Sequence, residues 1–379
     1  MNLANPLRPD DLLEALVRID SRNPDLSPDS PGERPVAEAL AEILVSLGME
    51  TELLDVVDGH PNVVGVLPGD DHLPTFVLES HLDTVPTPPG GISVRREGSR
   101  LYGRGACDTK GSPAGMVVAA QRIARRSDLR PTVVVVGAVD EDFVMRGAQA
   151  LLGQLPPVDG VVIGEPTSLG PVRAHNGFIR VRVVVHGVAA HSSRAFLGVN
   201  AIMSACRCVI ALEDRLRTRL LERHHPLTGP ALLTSTMIDG GIAPNVVPDL
   251  CTVWLDRRLS PGESPDAALR EIDEVLGDLT AGGLHVERDE PLVALPGLET
   301  PPDHPLVVTA ERLLSPATGV TYGTDASYLN GYGGMPCIVL GPGSIDQAHT
   351  VDEWIELDQV HASVDAYERL VLGAAGLEP

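Results

Sequence analysis

The sequence predicts an α/β protein: a central mixed sheet flanked by helices, interrupted by a smaller inserted α+β domain. Three observations carry this. Short, nearly continuous Val/Ile/Leu runs, "NVVGVLPG", "TFVLESHLD", "TVVVVGAVDED" and "DGVVIGEPTS", alternate with helical stretches. Strands of that kind are buried on both faces, as in a parallel or mixed sheet covered by helices. In the middle of the chain the texture changes: "FIRVRVVVHGVAAHSS" alternates polar and apolar residues, as a half-exposed antiparallel strand does. "GVTYGTDASYL" and "PCIVLGPG" then return to the buried texture. The resulting expectation is an outer domain of residues 1–176 and 287–379 and an insert of 177–286.

In chain order, residues 9–20 place Leu12, Leu13, Leu16, Val17 and Ile19 near a 3.6-residue period and read as a helix. "GERPVAEALAEILVSLGME" reads as a second helix ending at Gly48. The four buried runs follow, with helices at 112–125 and 145–154 between them. Within the insert, the alternating strand leads into a helix from about Asn200 to Arg223. The strands "ALLTSTMIDGG" and "LCTVWLDRRLS" come next, then a helix over 264–278 opened by Ser264 and Pro265.

A chain of 379 residues exceeds one ordinary core and suits about two domains. The net charge of −23 argues against nucleic acid or an anionic membrane surface as a partner, since both need basic patches. Five scattered cysteines with no C-x-x-C pair argue against a disulfide framework and for a reducing cytoplasm. The N-terminal stretch "MNLANPLRPDDLLEALVRI" lacks a basic region followed by an apolar core, so it is not expected to be a signal peptide. No run approaches the ~18 apolar residues that span a bilayer.

Ionisable residues gather where the buried strands end. His81 and Asp83 close one run, and Asp140, Glu141 and Asp142 close another. Glu165 ends "DGVVIG", Asp108 sits in the glycine-rich turn "YGRGACDTKG", and His349 follows "PCIVLGPGSIDQA". In open α/β sheets functional groups collect at the carboxyl ends of strands. Buried carboxylates are expensive unless a cation compensates them. Two histidines with several carboxylates match the nitrogen and oxygen donors that zinc takes, and two divalent ions would balance three carboxylates to within one charge, as a two-metal hydrolytic site requires. In an extended chain residues i and i+2 share a side, so Asp83 can bond the ring nitrogen of His81 turned away from a metal. The adjacent Glu141 and Asp142 point apart, so one can bind metal while the other serves as a base.

The ordered segments "SHLDTVP", "GRGACDTKG", "VDEDFVMRGA", "IGEPTS" and "GPGSIDQAHTVDE" resemble the serial motifs of the di-zinc aminoacylase / acetylornithine deacetylase / succinyl-diaminopimelate desuccinylase / carboxypeptidase-G family. The resemblance runs over essentially the whole chain. It implies that His81 and Glu165 bind one zinc, that Asp142 and His349 bind the other, and that Asp108 bridges the two. It further implies that Asp83 orients His81 and that Glu141 is the general base for attack by metal-activated water on an amide. Cobalt and manganese suit the same donors. The chain departs from the family at Asp142, where a glutamate is usual. The resemblance nominates His191, in the insert, as an oxyanion donor that reaches the partner's site in a homodimer, making the insert a lid and dimerisation domain. It assigns Arg258 to the substrate carboxylate, which an arginine can hold bidentately, and Asn245, Gly323 and Thr324 to the substrate pocket.

The implied reaction is removal of an acyl group from an N-acyl amino acid, as in acetylornithine deacetylases. Desuccinylation, dipeptide or carboxypeptidase cleavage, and trimming of a carrier-linked or protected amino acid are the alternatives within the family. A non-catalytic metal-binding scaffold is disfavoured because Glu141 and every ligand position carry competent side chains. A nucleotide-binding protein is disfavoured because "GRGACDTKGS" lacks the G-x-x-x-x-G-K-[ST] spacing and its aspartate would repel phosphate.

Overall fold

A computed structural model describes residues 6–378 apart from 58, 89, 90 and 92. Residues 1–5, where the reading of the N-terminal stretch begins, lie outside the described residues. The chain divides into two compact units: Met1–Arg173, Glu299–Gly319 and Thr324–Pro379 form one, and Ala174–Leu298 with Val320–Gly323 forms the other. The second unit extends beyond the expected 177–286. The reason is strand pairing: His285–Arg288 and Val293–Leu295 both bond to Gly177–His186 and so belong with it.

The first unit is built on a mixed sheet ordered Glu50–Val57, His60–Leu67, Thr132–Ala138, Thr75–His81, Gly160–Ile163, Cys337–Val339. The hairpin at its edge is antiparallel, and it joins Thr132–Ala138 in antiparallel register. The next four strands run parallel. Burial explains the sequence texture. Val77, Leu78, Val134, Val136, Val161 and Val162 are all wholly buried, so both faces of these strands are apolar along most of their length, and polar residues such as Glu79 and Ser80 come only toward the end. Helices Pro9–Val17, Arg34–Ser46, Gly111–Ala124 and Leu357–Ala374 contribute Leu13, Leu40, Met116, Val117 and Tyr367 to one continuous core. Gly115 lets the third and fourth of these helices meet closely: a Cβ there would lie 2.1 Å from Ser363 Oγ.

The second unit is an antiparallel sheet ordered Leu232–Gly240, Leu250–Leu259, Gly177–His186, His285–Arg288. Ile179, Val181, Val183 and Val185 alternate inward at period 2 and meet Leu212, Leu216 and Leu220 of helix Ala201–Glu222 and Ile272 and Leu276 of helix Pro265–Ala281. Both helices begin where polar caps stand. Asn200 accepts from the Met203 N–H, and Ser264 accepts from the Ala267 N–H.

Some local expectations need correction. The first helix stops at Val17, and the helix expected over 145–154 is only Arg146–Leu151. "GVTYGTDASYL" is not a buried strand. Only Thr318–Val320 is extended, and a π-helical turn, Ser327–Tyr332, follows. Thr324 and Asp325 start that turn: the Thr324 hydroxyl accepts from the Ala326 N–H, and the Tyr328 N–H bonds to the Asp325 carbonyl. All five cysteines are free. No helix among the described residues is long and apolar enough to cross a membrane.

Candidate metal centre

Parallel strands ending at one edge of a sheet bring together residues far apart in sequence. His81 is the last residue of Thr75–His81 and pairs with Ala138, and Glu79 pairs with Ile163. The chain segments after Ala138 and Ile163, carrying Glu141, Asp142 and Glu165, therefore emerge beside His81. Asp140 turns the chain through the left-handed region at φ 68°, and His349 does the same at φ 56°. Both conformations are uncommon for residues with a Cβ and persist only where the surroundings hold them.

Asp108 lies at the centre. Its Oδ1 is 3.1 Å from His81 Nε2, and its Oδ2 is 3.1 Å from His349 Nε2. Glu165 Oε1 is 3.8 Å from His81 Nε2, and Asp142 Oδ1 is 3.4 Å from His349 Nε2. The donor atoms of His81, Asp108 and Glu165 form one compact group, and those of His81, Asp83 and Asp142 form another. All five residues expected to bind metal are thus gathered around one carboxylate.

Asp83 does more than the sequence suggested. The His81 Nδ1 is 3.0 Å from the Asp83 carbonyl oxygen and 3.4 Å from its Oδ1. The same carboxylate accepts the backbone N–H of Glu141 and that of Asp142, each at 3.0 Å. It therefore fixes both the imidazole and the backbone that carries the acidic pair.

The electrostatics test whether a cation fits. Burial drives Glu141 and Glu165 well above the usual carboxylate range, and Asp142 is also raised by burial. Glu79 is pushed up to about 7 by burial, and its buried neighbour Asp325 is raised well above normal. Asp108 goes the other way. Burial opposes its charge, but bonds to His349 and His81 outweigh that and hold it well below the usual range. His349 is raised to about 10 by its bonds to Asp108 and Asp142. His81 is raised against its burial by the Asp108 and Asp83 carboxylates. Among the described residues these carboxylates have only imidazoles as cationic partners. So dense a group of buried acids fits divalent cations, which would supply the missing positive charge. The donors are oxygen and imidazole nitrogen; the Cys107 thiol instead faces the Ser344 carbonyl and Gln347. That set suits zinc, cobalt or manganese.

The residues expected to hold substrate are placed as follows. His191 is exposed in the short strand Ala190–His191, and its Nδ1 accepts from the Ser193 N–H. In the neutral ring the proton therefore sits on Nε2. Asn245 is exposed, and its carbonyl accepts from the Ser192 N–H. Arg258 bonds Asp256 through Nε at 2.7 Å and lies 5.6 Å from the Phe178 ring centre. Its neighbour Arg257 is buried and pairs with Glu263. Gly323 abuts Phe178, where a Cβ would stand 2.6 Å from the ring. Thr324 is 1% exposed, and its hydroxyl caps the following turn.

Sequence reasoning missed three supports. Asn23 joins Asp83 to Asp140. Glu353 accepts the N–H groups of Cys107 and Asp108 at 2.9 and 3.0 Å, and Arg104 anchors it at 2.6 Å. Arg146 pairs with Asp140. Glu353 stands inside the motif "AHTVDE", but nothing in its spacing distinguishes it from a surface acid.

A family model described as peptidase family M20/M25/M40 matches residues 77–373. The chain belongs to this family. Among M20/M25/M40 relatives, an acetylornithine deacetylase of Vibrio campbellii is 33% identical over 362 residues, covering 90% of this chain and 92% of the relative. Two solved structures share the fold. The aminopeptidase PepT of Bacillus cereus has a TM-score of 0.79 at 21% identity, covering 99% of this chain and 100% of that one. The YXEP protein of Bacillus subtilis, a dinuclear metal-binding peptidase, has a TM-score of 0.69 at 16% identity, covering 96% of each. The protein is a metal-dependent M20/M25/M40 hydrolase that acts on amide bonds.

Proposed function

We propose that this enzyme removes the acyl group from an N-acyl amino acid, in the manner of an acetylornithine deacetylase, at a centre for two divalent ions, zinc first among them. The observation that carries the reading is Asp108, whose two oxygens each face a different histidine at 3.1 Å. Similarity to the Vibrio deacetylase over nine-tenths of the chain supports the substrate class.

In this reading His81 and Glu165 would hold one ion and Asp142 and His349 the other, with Asp108 supplying an oxygen to each. When bound, the ions acidify water and polarise the amide carbonyl. The protein's own groups do the rest. Glu141, as the carboxylate, takes a proton from the attacking water and delivers it to the leaving amine; burial raises its affinity for that proton. Asp83 holds the backbone of Glu141 in place. Arg258 takes the substrate carboxylate, with Asn245, Gly323 and Thr324 shaping the pocket, and His191 donates to the developing oxyanion. The partner this reading requires is a second copy joined through the inserted unit. In support, Leu232–Gly240 is an edge strand whose Met237 and Ile238 are exposed.

The test is hydrolysis by metal-loaded protein of N-acetyl-ornithine, N-succinyl-diaminopimelate, other N-acyl amino acids and dipeptides. N-acetyl-ornithine is expected to give the highest kcat/KM. Glu141→Gln is expected to keep its metal and lose at least ~100-fold in kcat. Preference for dipeptides, or full activity in that variant, refutes the corresponding part of the reading.

A further inference from the structure

Asn23 touches none of the atoms assigned to metal or substrate, yet it is wholly buried at the back of the site. It follows the first helix, in a segment that runs beside the end of the strand carrying His81. The Asn23 N–H bonds to the Thr84 carbonyl at 2.9 Å, the Thr84 N–H to the Ser21 carbonyl at 3.0 Å, and Ser21 Oγ to the Leu82 carbonyl at 2.8 Å. The backbone is thereby locked, and the side chain has a fixed task. Its Nδ2 donates to Asp83 Oδ2 at 2.9 Å and to Asp140 Oδ1 at 3.0 Å, while its Oδ1 accepts from the Asp25 N–H at 3.0 Å.

Those two carboxylates control the acidic segment from both ends. Asp140 is the left-handed residue that redirects the chain, and its Oδ2 is held by Arg146 Nε at 2.6 Å. Asp83 receives the N–H groups of Glu141 and Asp142 and faces the His81 ring. A single amide group, with one hydrogen for each acid, thus sets the spacing between the carboxylate that bends the segment and the one that holds it. No other side-chain type of this size supplies two donors from one nitrogen. An aspartate would have the same shape but no donor, and it would add a third charge between two buried ones.

We propose that Asn23 is a positioning residue: it fixes the orientation of Asp83 and so sets metal affinity and the placement of Glu141. This rests on the metal-dependent reading above. Groups that orient metal ligands typically change affinity by ~10–100-fold when lost, and that range applies here. The experiment compares wild type, Asn23→Asp and Asn23→Ser by chelator-competition titration with Zn2+, by kcat and KM on N-acetyl-ornithine, and by melting of the metal-free proteins.

The expected result is a Zn2+ Kd raised ~10–100-fold in Asn23→Asp, with kcat reduced and KM within about twofold of wild type. Asn23→Ser, which keeps one donor, falls between. If Asn23→Asp does not fold, Asn23→Ser carries the same expected direction. A lowered melting temperature with wild-type Kd and kcat in the folded variants makes Asn23 a structural residue only and overturns the proposal. Wild type that binds no Zn2+ overturns the metal reading and this inference together, so the two failures are told apart.

Discussion

Glu353→Gln tests whether the central aspartate is held from behind. Glu353 is wholly buried, and its Oε1 receives two backbone N–H groups, those of Cys107 and Asp108. Its Oε2 pairs with Arg104, whose side chain is only 9% exposed. Glutamine keeps the shape but must turn its NH2 either toward the guanidinium or toward the two N–H groups, so donor faces donor in both orientations. Removing one partner of a buried ion pair costs roughly 3–5 kcal/mol. Arg104 also bonds the carbonyls of Pro86 and Thr350, which favours the lower end, about 3 kcal/mol. The unit concerned has about 250 residues, for which 1 kcal/mol moves Tm by roughly 2–4 °C. Metal-free Glu353→Gln should therefore melt roughly 6–12 °C lower than wild type by differential scanning calorimetry. Its affinity for Zn2+ should fall about tenfold as Asp108 loses its anchor. A Tm within about 2 °C of wild type, with unchanged metal affinity, would refute the argument that this buried pair positions Asp108.

Three further outcomes are expected. Dialysis against a chelator should abolish hydrolysis while far-UV circular dichroism stays native, and Zn2+ at a hundred times its Kd should restore activity and add about 2.7 kcal/mol to stability; loss of native secondary structure on chelation would contradict this. His175, wholly buried, is lowered to about 4 by burial. Its contribution is thus present above the unfolded value near 6.5 and is lost as pH falls through 4. His175→Asn should flatten the acid limb by about 3 kcal/mol between pH 7 and pH 4 in urea titrations, whereas parallel stability profiles for the two proteins would exclude the assignment. Arg258→Lys should raise KM for a carboxylate-bearing substrate about tenfold or more with little change in kcat, because a lysine cannot form the bidentate pair; unchanged KM would place substrate recognition elsewhere.

What was legible in the sequence followed burial and strand direction. The Val-rich runs could be read because strands buried on both faces are mostly apolar, and His81, Asp83, Glu141, Asp142 and Glu165 stood out as ionisable residues at the ends of those runs, with Asp108 in a glycine-rich turn and His349 in the segment after the last run. The Asp325 turn was not legible. "GVTYGTDASYL" has strand-like composition, but Thr324 and Asp325 favour a local turn over a ladder, and local capping won. The extent of the second unit was misjudged because His285–Arg288 and Val293–Leu295 are short and mark their membership only through pairing with Gly177–His186. Asn23 and Glu353 stayed hidden for another reason: their value lies in bonds to partners 60 and 245 residues away, and no local pattern encodes a partner at that distance.

The site therefore has two kinds of acid, and they answer to different forces. Asp108, Asp142 and Glu165 expose oxygens to a shared space where burial penalises their charge, so a cation would stabilise them. Asp83, Asp140 and Glu353 spend their oxygens on backbone N–H groups, on Asn23 and on arginines. These bonds offset the charge of Asp83 and Asp140 without any metal, and they partly offset that of Glu353, which burial still raises above the usual range. The supporting layer is thus complete in the protein alone, and the donor layer is the part that waits for ions. This division explains why the parallel strands can bring His81, Asp142 and Glu165 together at all. The turn at Asp140 is locked by neutralised carboxylates, so the crowding of the donor acids is borne locally and is not relieved by unwinding the strand ends. It follows that metal removal should loosen the donor side chains and leave the sheet and its turns intact, whereas a change in the supporting layer should weaken the fold and the metal site together.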